Sequence, residues 1–412
     1  MRGSNEAAQR RLLWVNHFAA APDMGGGTRH VELGRELVRR GWSVQIAASD
    51  FHLHHREYLR RRDSSDRSVI HERIDGVDMT WLWAHPYTRN DTSRIRNWIS
   101  FGASLSRLAV EIEPPDVVIG STPHLFAALA SWRLARRLGV PFVLEVRDLW
   151  PESLAVGGGT RGPGYWSLFA LSRFLYRVAD GIIVLASGVG EYLIQRGVPS
   201  RRVTLVPNGV DARAFSAAAP EERERLRLVY AGAHGLANGL EAVLLAAGIL
   251  RDEQRVSFLL VGDGPSKSEL HERAREQGLE RVCFQDPVPK SAMPALLGEC
   301  DAGLMVLRDL PLFSFGVSPN KLFDYWGASL PVVCNVGGDV AGMVAASGGG
   351  VQARYGSGPA LAGAIQALLS LSPSERRAMG LRGRSWVTAE RDRPIVAAKL
   401  EGAIAPLIRS TR

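Results

Sequence analysis

The chain has 412 residues, 46% of them apolar, and a formal charge of +8. That length and apolar content suffice for two full-sized cores and exclude a disordered or low-complexity protein. The longest apolar run, near 240–250, is too short to span a bilayer, and residues 1–11 lack the apolar centre of a signal peptide.

The charge is uneven. Residues 1–206 carry 27 Arg and no Lys against 20 Asp plus Glu, net +7; residues 207–412 carry 23 basic against 22 acidic residues, net +1. This excess reads either as a surface facing anionic lipid or an anionic substrate, or as the solvated face of a chain that prefers arginine. Only four of the fifty basic residues are lysines. Cys283, Cys300 and Cys334 lie in or beside short apolar runs without metal-ligand spacing, which reads as reduced thiols in a cytoplasmic protein.

In chain order, a strand is predicted over 11–18, then the turn Met24-Gly25-Gly26-Gly27-Thr28, then a helix through Val31, Leu33 and Leu37. Glycines between strand and helix let backbone N–H groups approach a ligand, although the G-x-G-x-x-G dinucleotide spacing is not met. After a strand over 43–48 comes an Arg- and His-rich surface segment. Two alternating runs, 69–74 and 77–83, read as strands joined at Asp75-Gly76, a hairpin signal. Trp81, Trp83, Tyr87, Trp98 and Phe101 read either as core residues or as aromatics that dock a lipid-linked acceptor at a membrane. Strands over 116–120 and 140–146 follow, the first leading through Ser121 and His124 into a helix. The second ends in Glu145, Arg147, Asp148 and Glu152, charges at the carboxyl edge of a parallel sheet, where ligands bind. An Arg147 ion pair at the strand end is the alternative. Strands over 181–185 and 202–206 complete the first half.

The domain linker is placed after Val206-Pro-Asn-Gly-Val-Asp211. The pattern then restarts with strands over 226–230, 256–261, 281–284, 301–306 and 331–334, separated by helices and by glycine turns at 232–239 and 262–265. This alternation predicts α/β domains with parallel sheets. The expected division is 1–206 and 207–391, with a C-terminal helix about 392–412 packing back on the first domain.

Residues 318–327, Ser-Pro-Asn-Lys-Leu-Phe-Asp-Tyr-Trp-Gly, read as the opening of a helix, with Ser318 as cap and Pro319 in the first position. A helix N-terminus suits a phosphate. Lys321 adds a cation there, and Asp324, three residues on, shares its face. Cation and carboxylate together suit a nucleoside diphosphate; a surface helix with an i,i+3 ion pair is the plain alternative.

The order of these motifs, from Leu12 onward, resembles the retaining glycosyltransferases of family 4. Val-Arg-Asp-Leu-Trp-Pro-Glu-Ser over 146–153 and Pro-Asn-Lys-Leu-Phe-Asp-Tyr over 319–325 resemble its bacterial surface-polysaccharide subgroup, which includes fucosamine transferases. The resemblance implies the GT-B fold, two Rossmann-like domains with parallel sheets facing across a cleft, the first for acceptor and the second for donor. It implies Asp324 on the ribose hydroxyls. The partner glutamate eight positions earlier is absent, Gly316 standing there. The family's Gly-Arg…Lys-Gly pyrophosphate clamp falls on Gly232-Ala233…Asn238-Gly239, where both cations are missing, so Lys321 would carry much of the phosphate charge. Gly235, Gly262, Gly264, Ser318 and Asn320 join the expected donor site. Asp286-Pro-Val288 would contact the base, through backbone at Val288. His124, Arg147, Asp148 and Glu145, with the Gly25–Gly27 loop, are expected on the acceptor side.

The implied activity is metal-independent, retaining hexosyl transfer (EC 2.4) from a UDP-linked or related sugar to an acceptor hydroxyl in cell-surface polysaccharide or glycoconjugate assembly, without a side-chain nucleophile. No cofactor is expected, since no Asp-x-Asp pair exists to hold a divalent cation on the diphosphate. The expected partners are the nucleotide-sugar donor and a lipid-linked saccharide acceptor, with no nucleic acid, in a cytoplasmic protein peripheral on the inner face of the membrane. A non-catalytic nucleotide-sugar-binding partner of another transferase and a nucleotide-sugar epimerase remain the alternatives.

Overall fold

The computed structural model describes every residue except 1–8, 25–26, 53–55, 89–91, 109–111, 154–161, 216–224, 311–312, 314 and 409–412. The chain divides into two compact units, Met1–Val206 with Val396–Arg412, and Pro207–Ile395.

The first unit is built on eight strands: β1 (Arg11–Val15), β2 (Ser43–Ser49), β3 (Ile70–Ile74), β4 (Val77–Leu82), β5 (Val117–Ser121), β6 (Phe142–Val146), β7 (Gly181–Val184) and β8 (Val203–Leu205). Their order is β3-β4-β2-β1-β5-β6-β7-β8, and every pairing is parallel except β3 with β4. That exception is the predicted hairpin, with Asp75 at φ 52° and Gly76 at φ 84°, the left-handed pair a two-residue turn requires. β5 and β6 are buried along their whole length, as expected of strands covered on both faces. Helices over Arg29–Arg39, Thr92–Leu108, Leu125–Leu138, Pro163–Val178 and Ser187–Gln195 belong to this unit. So does the end of the helix Arg393–Ile404: Val396, Ala397, Leu400 and Ile404 lie in one buried cluster with Leu12, Trp14, Val31 and Leu37.

The second unit carries β9 (Leu226–Ala231), β10 (Val256–Val261), β11 (Val282–Gln285), β12 (Ala302–Met305), β13 (Val332–Cys334) and β14 (Gly350–Gln352), all parallel, in the order β11-β10-β9-β12-β13-β14. β14 was not among the predicted strands; three residues beginning at a glycine give no usable periodicity. In each sheet the winding direction reverses beside the first strand of the unit, at β1/β5 and at β9/β12. Carboxyl ends at such a reversal diverge and leave a crevice, which is where open α/β sheets bind ligands.

Trp81, Trp83, Tyr87 and Phe101 are buried and pack as core residues. The membrane-docking alternative therefore does not apply to these four.

Candidate functional site

In the second unit the crevice at β9 is bordered by the helix Asn320–Gly327. Leu322, Phe323, Tyr325 and Trp326 are each fully buried, and each contributes about 1.5–3 kcal/mol by burial. Polar ties fix the rotation of this helix: Tyr325 OH accepts from Ala231 N at 2.9 Å, and Trp326 Nε1 donates to Gly349 O at 3.0 Å. Gly383, on the neighbouring helix, is needed because a Cβ there would lie 2.3 Å from the Trp326 ring. Lys321 and Asp324 thus stand on a rigid support.

Two expectations about this helix are corrected. It begins at Asn320, which is exposed, with Pro319 in the cap position and no side-chain cap. Ser318 does not cap it: its Oγ accepts from Asn208 N (2.8 Å) and its carbonyl accepts from Asn208 Nδ2 (2.6 Å). The nearby buried donors of Asn208 claim the Ser318 oxygens.

Lys321 turns its ammonium onto Tyr230, donating to the hydroxyl at 2.8 Å and lying 4.1 Å from the ring centre, and reaches Asn238 Oδ1 at 3.4 Å. Asn238 therefore presents its acceptor, not a donor, to this cation. Burial lowers the Lys321 pKa from its ordinary value to about 7. Gly232, at φ 158°, leaves room for that ammonium, since a Cβ there would lie 3.3 Å from both Lys321 Cε and Nζ. Asp324 takes a different partner, which the sequence reading missed: Lys290 Nζ donates to its two oxygens at 2.7 and 2.6 Å. The nearby Lys267 Nζ donates to Asp286 at 2.6 Å. Val288 packs against the core cluster of this helix.

Gly262 and Gly264 were expected to admit a ligand. They admit another loop instead. A Cβ on Gly262 (φ 146°) would lie 1.9 Å from Gly232 O, and one on Gly264 (φ 154°) would lie 2.6 Å from His234 O. The turn is interlocked with the 232–239 loop, as His234 N donates to Asp263 O and Ser266 N donates to His234 O. These glycines shape the site without needing to touch what it binds. At Gly235 a Cβ would make only ordinary contact, 3.5 Å from Asn238 Nδ2.

In the first unit the β1/β5 crevice holds a cavity of about 300 Å³, lined among others by His17, Phe18, Trp98, His124, Arg147 and Trp150, with Asp148 exposed at its edge. His124 is buried and caps the helix Leu125–Leu138, its Nδ1 accepting from Ala127 N at 2.8 Å. The other ring nitrogen therefore carries the proton in the neutral form, and it has no hydrogen-bond partner among the described residues. The His17 ring, its centre 4.5 Å away and tilted 35° to that of His124, has no hydrogen-bond partner at either nitrogen among the described residues. Burial lowers the pKa of both, His17 to about 3, with Arg94 adding to the shift. Two neutral imidazoles, aromatic walls and the Arg147 guanidinium suit a hydroxylated ring. Gly27 lies beside Arg147, a Cβ there being 3.6 Å from Nη2. Gly25 and Gly26 lie outside the described residues.

Glu145 is not part of this lining. It is fully buried, with Arg29 Nε donating to Oε1 (3.1 Å), Ser121 Oγ donating to Oε2 (2.6 Å) and His30 Nε2 3.2 Å from Oε2. Trp14 Nε1 donates in turn to Ser121 Oγ, and Arg29 Nη2 to Val206 O. Burial alone would raise the Glu145 pKa; Arg29 and the His30 hydrogen bond override it and hold the carboxyl well below the usual range. Its place is structural: it ties the helix that follows the glycine turn to the carboxyl edge of the sheet.

Residues 24–209 match the Glycosyl transferase 4-like domain, and residues 225–371 match the Glycosyl transferases group 1 domain. Among curated proteins, the chain is 30% identical over 209 residues to a putative colanic acid biosynthesis glycosyl transferase, WcaI, of Escherichia coli, covering 47% of this chain and 51% of that protein. It is 23% identical over 310 residues to a probable glycosyltransferase, WbjE, of Pseudomonas aeruginosa, covering 72% and 76%. The match thus spans about half the length of WcaI. Among solved structures, sucrose-phosphate synthase of Thermosynechococcus elongatus superposes with a TM-score of 0.75 over 97% of this chain and 99% of its own, at 17% identity. Anabaena HepE, solved with UDP and glucose, gives 0.68 over 97% and 100%, at 13% identity.

Proposed function

We propose, from the premise that this chain belongs to the family 4 glycosyltransferases of GT-B fold, that it transfers a sugar from a nucleoside-diphosphate sugar to an acceptor hydroxyl with retention of configuration. The observation that carries this reading is Lys321, a cation set on a rigid helix at the β9/β12 crevice, three residues from Asp324. Its ammonium would meet the diphosphate and Asp324 the ribose. Acceptor recognition falls to the cavity of the first unit, with His124, Arg147 and Asp148 at the saccharide. UDP is the favoured carrier, in keeping with HepE, which is solved with UDP-glucose. Cell-surface polysaccharide assembly is favoured by the likeness to WcaI.

The chemistry balances without a side-chain nucleophile. The acceptor oxygen bonds to the anomeric carbon on the face that the diphosphate leaves. The carbon–phosphate-oxygen bond breaks, and the acceptor proton passes to the departing phosphate. Charge grows on the diphosphate as it leaves, so fixed positive groups at that point lower the barrier. A screen of nucleotide sugars for acceptor-dependent release of the nucleoside diphosphate tests this reading. Release with no sugar appearing on any acceptor hydroxyl would count against transfer.

Because Lys321 and backbone N–H groups would stand in for a divalent ion, transfer is expected to persist in excess chelator. Activity that disappears with chelator and returns with magnesium or manganese would refute this.

No helix among the described residues is long and apolar enough to cross a membrane. Contact at the surface is another matter. Ile95 and Ile99, 46% and 58% exposed and one turn apart, flank Arg96 on the helix Thr92–Leu108, and Trp166 is 54% exposed on the helix Pro163–Val178. Exposed apolar groups among arginines suit an anionic bilayer carrying a lipid-linked acceptor. Flotation with anionic vesicles is expected to recover the protein at low salt and less of it at high salt. Failure to float at low salt would point to a soluble acceptor.

A further inference from the structure

We propose that Lys290 acts with Asp324 as the reader of the donor's ribose diol, and that this pair makes the site select ribonucleotides over 2′-deoxyribonucleotides. The inference rests on the reading of the second-unit site as a nucleoside-diphosphate site.

An ionised carboxylate can only accept hydrogen bonds, and an ammonium can only donate them. A vicinal diol does both at each hydroxyl. Asp324 alone can take the hydroxyl protons but offers nothing to the hydroxyl oxygens. Lys290 supplies the complement from the same spot. Its Nζ lies 2.7 and 2.6 Å from the two carboxylate oxygens, which engages at most two of its three N–H donors. The side chains are 33% and 12% exposed, so a ligand can reach the pair while solvent does not fully surround it.

The residue type points the same way. Four of the fifty basic residues are lysines, and three of these, Lys267, Lys290 and Lys321, belong to the second unit around this crevice. The charges of Lys267 and Lys321 both add to the lowering of the His234 pKa that burial begins. Apart from Lys399, a chain that otherwise uses arginine departs from it here. Arginine opposite Asp324 would engage both oxygens through its planar fork and cover the edge that a diol must approach. A lysine head holds the two oxygens from a single point and keeps an N–H donor of its own for the diol. Lys290 also follows Val288 by two residues, which places it between the segment expected at the base and the carboxylate expected at the ribose.

The test uses the full-length chain and calorimetric titration with UDP and 2′-deoxy-UDP, and in parallel with ADP and 2′-deoxy-ADP. The wild type is expected to favour the ribonucleotide of the better-binding pair by about 10–100-fold, the range for one hydrogen bond to a charged group. Lys290→Met is expected to weaken that ribonucleotide by about the same 10–100-fold while leaving its deoxy counterpart nearly unchanged, so the preference collapses. Lys290→Gln, which keeps a neutral donor of similar reach, is expected to fall between, and it serves if Lys290→Met melts early. A preference that survives both substitutions overturns the proposal. So does an equal loss for both nucleotides of a pair, which is what a merely supporting ion pair would give. Failure of the wild type to bind either pair would remove the nucleotide reading itself, and this inference with it.

Discussion

Replacing Lys321 by alanine is expected to lower kcat about 10²–10³-fold, the scale for losing one preorganised group opposite a developing charge. The loss should fall mainly on kcat, because charge on the leaving diphosphate grows as the bond breaks. Affinity for the free nucleoside diphosphate, measured separately, should drop less. Lys321→Arg is not expected to restore the rate. The ammonium lies against the Tyr230 ring and the Gly232 backbone, where a planar guanidinium has no matching space. A pH dependence follows from the lowered pKa, about 7 in the free protein. The cation is present below that value and lost above it, so kcat/KM should fall as pH rises through this range, and the Lys321→Ala profile should lack that limb. Near-normal kcat in the alanine variant would mean that the phosphate is held elsewhere.

Glu145→Ala is expected to destabilise the first unit by about 3–5 kcal/mol, the cost of leaving a buried charge without its partner. Arg29, 1% exposed, would be that charge, and Ser121 would lose its acceptor. Glu145→Gln, which keeps the shape and loses the charge, should cost less. The sign of the acid dependence is fixed by direction. Glu145 has a folded pKa below its unfolded one, so its contribution is full above the ordinary carboxylate range and declines as pH falls toward the folded value. His30, held neutral down to about 4 from an ordinary 6.5, adds a loss of the same sign in between, because unfolding lets it take up a proton. Urea titrations of both variants across acid pH measure this. A shift under 1 kcal/mol for Glu145→Ala, at the level of an exposed pair, would return Glu145 to the ligand-facing side.

The parts of the fold that were legible in the sequence depend on local pattern. Apolar runs of strand length, glycine turns and helical periodicity recur with a spacing that only parallel α/β layers accommodate, and Asp75-Gly76 marks a hairpin by backbone conformation alone. The parts that were not legible depend on partners distant in the chain. Glu145 stands among charged residues at a strand end, as a ligand-facing carboxylate would. Its burial follows from Arg29 and His30, which approach from 116 and 115 residues earlier. The plain alternative paired Asp324 with its helix neighbour Lys321, yet Lys290, 34 residues away, meets both of its oxygens. Gly262 and Gly264 looked like a ligand turn because glycine admits any close neighbour; here the neighbour is the chain's own backbone. The scarcity of lysine was the one signal that could have singled out Lys290.

The return of Val396–Ile404 to the first unit sets an order of events during synthesis. Their apolar side chains fill a seam beside Leu12, Trp14 and Val31. When a ribosome has released the first 206 residues, that seam has no cover, because the segment that closes it is still almost two hundred codons away. The second unit, one uninterrupted stretch, carries no such debt to later sequence. The half of the protein made first is therefore the half completed last, and a nascent chain must keep Trp14 and its neighbours from other apolar surfaces through the whole interval.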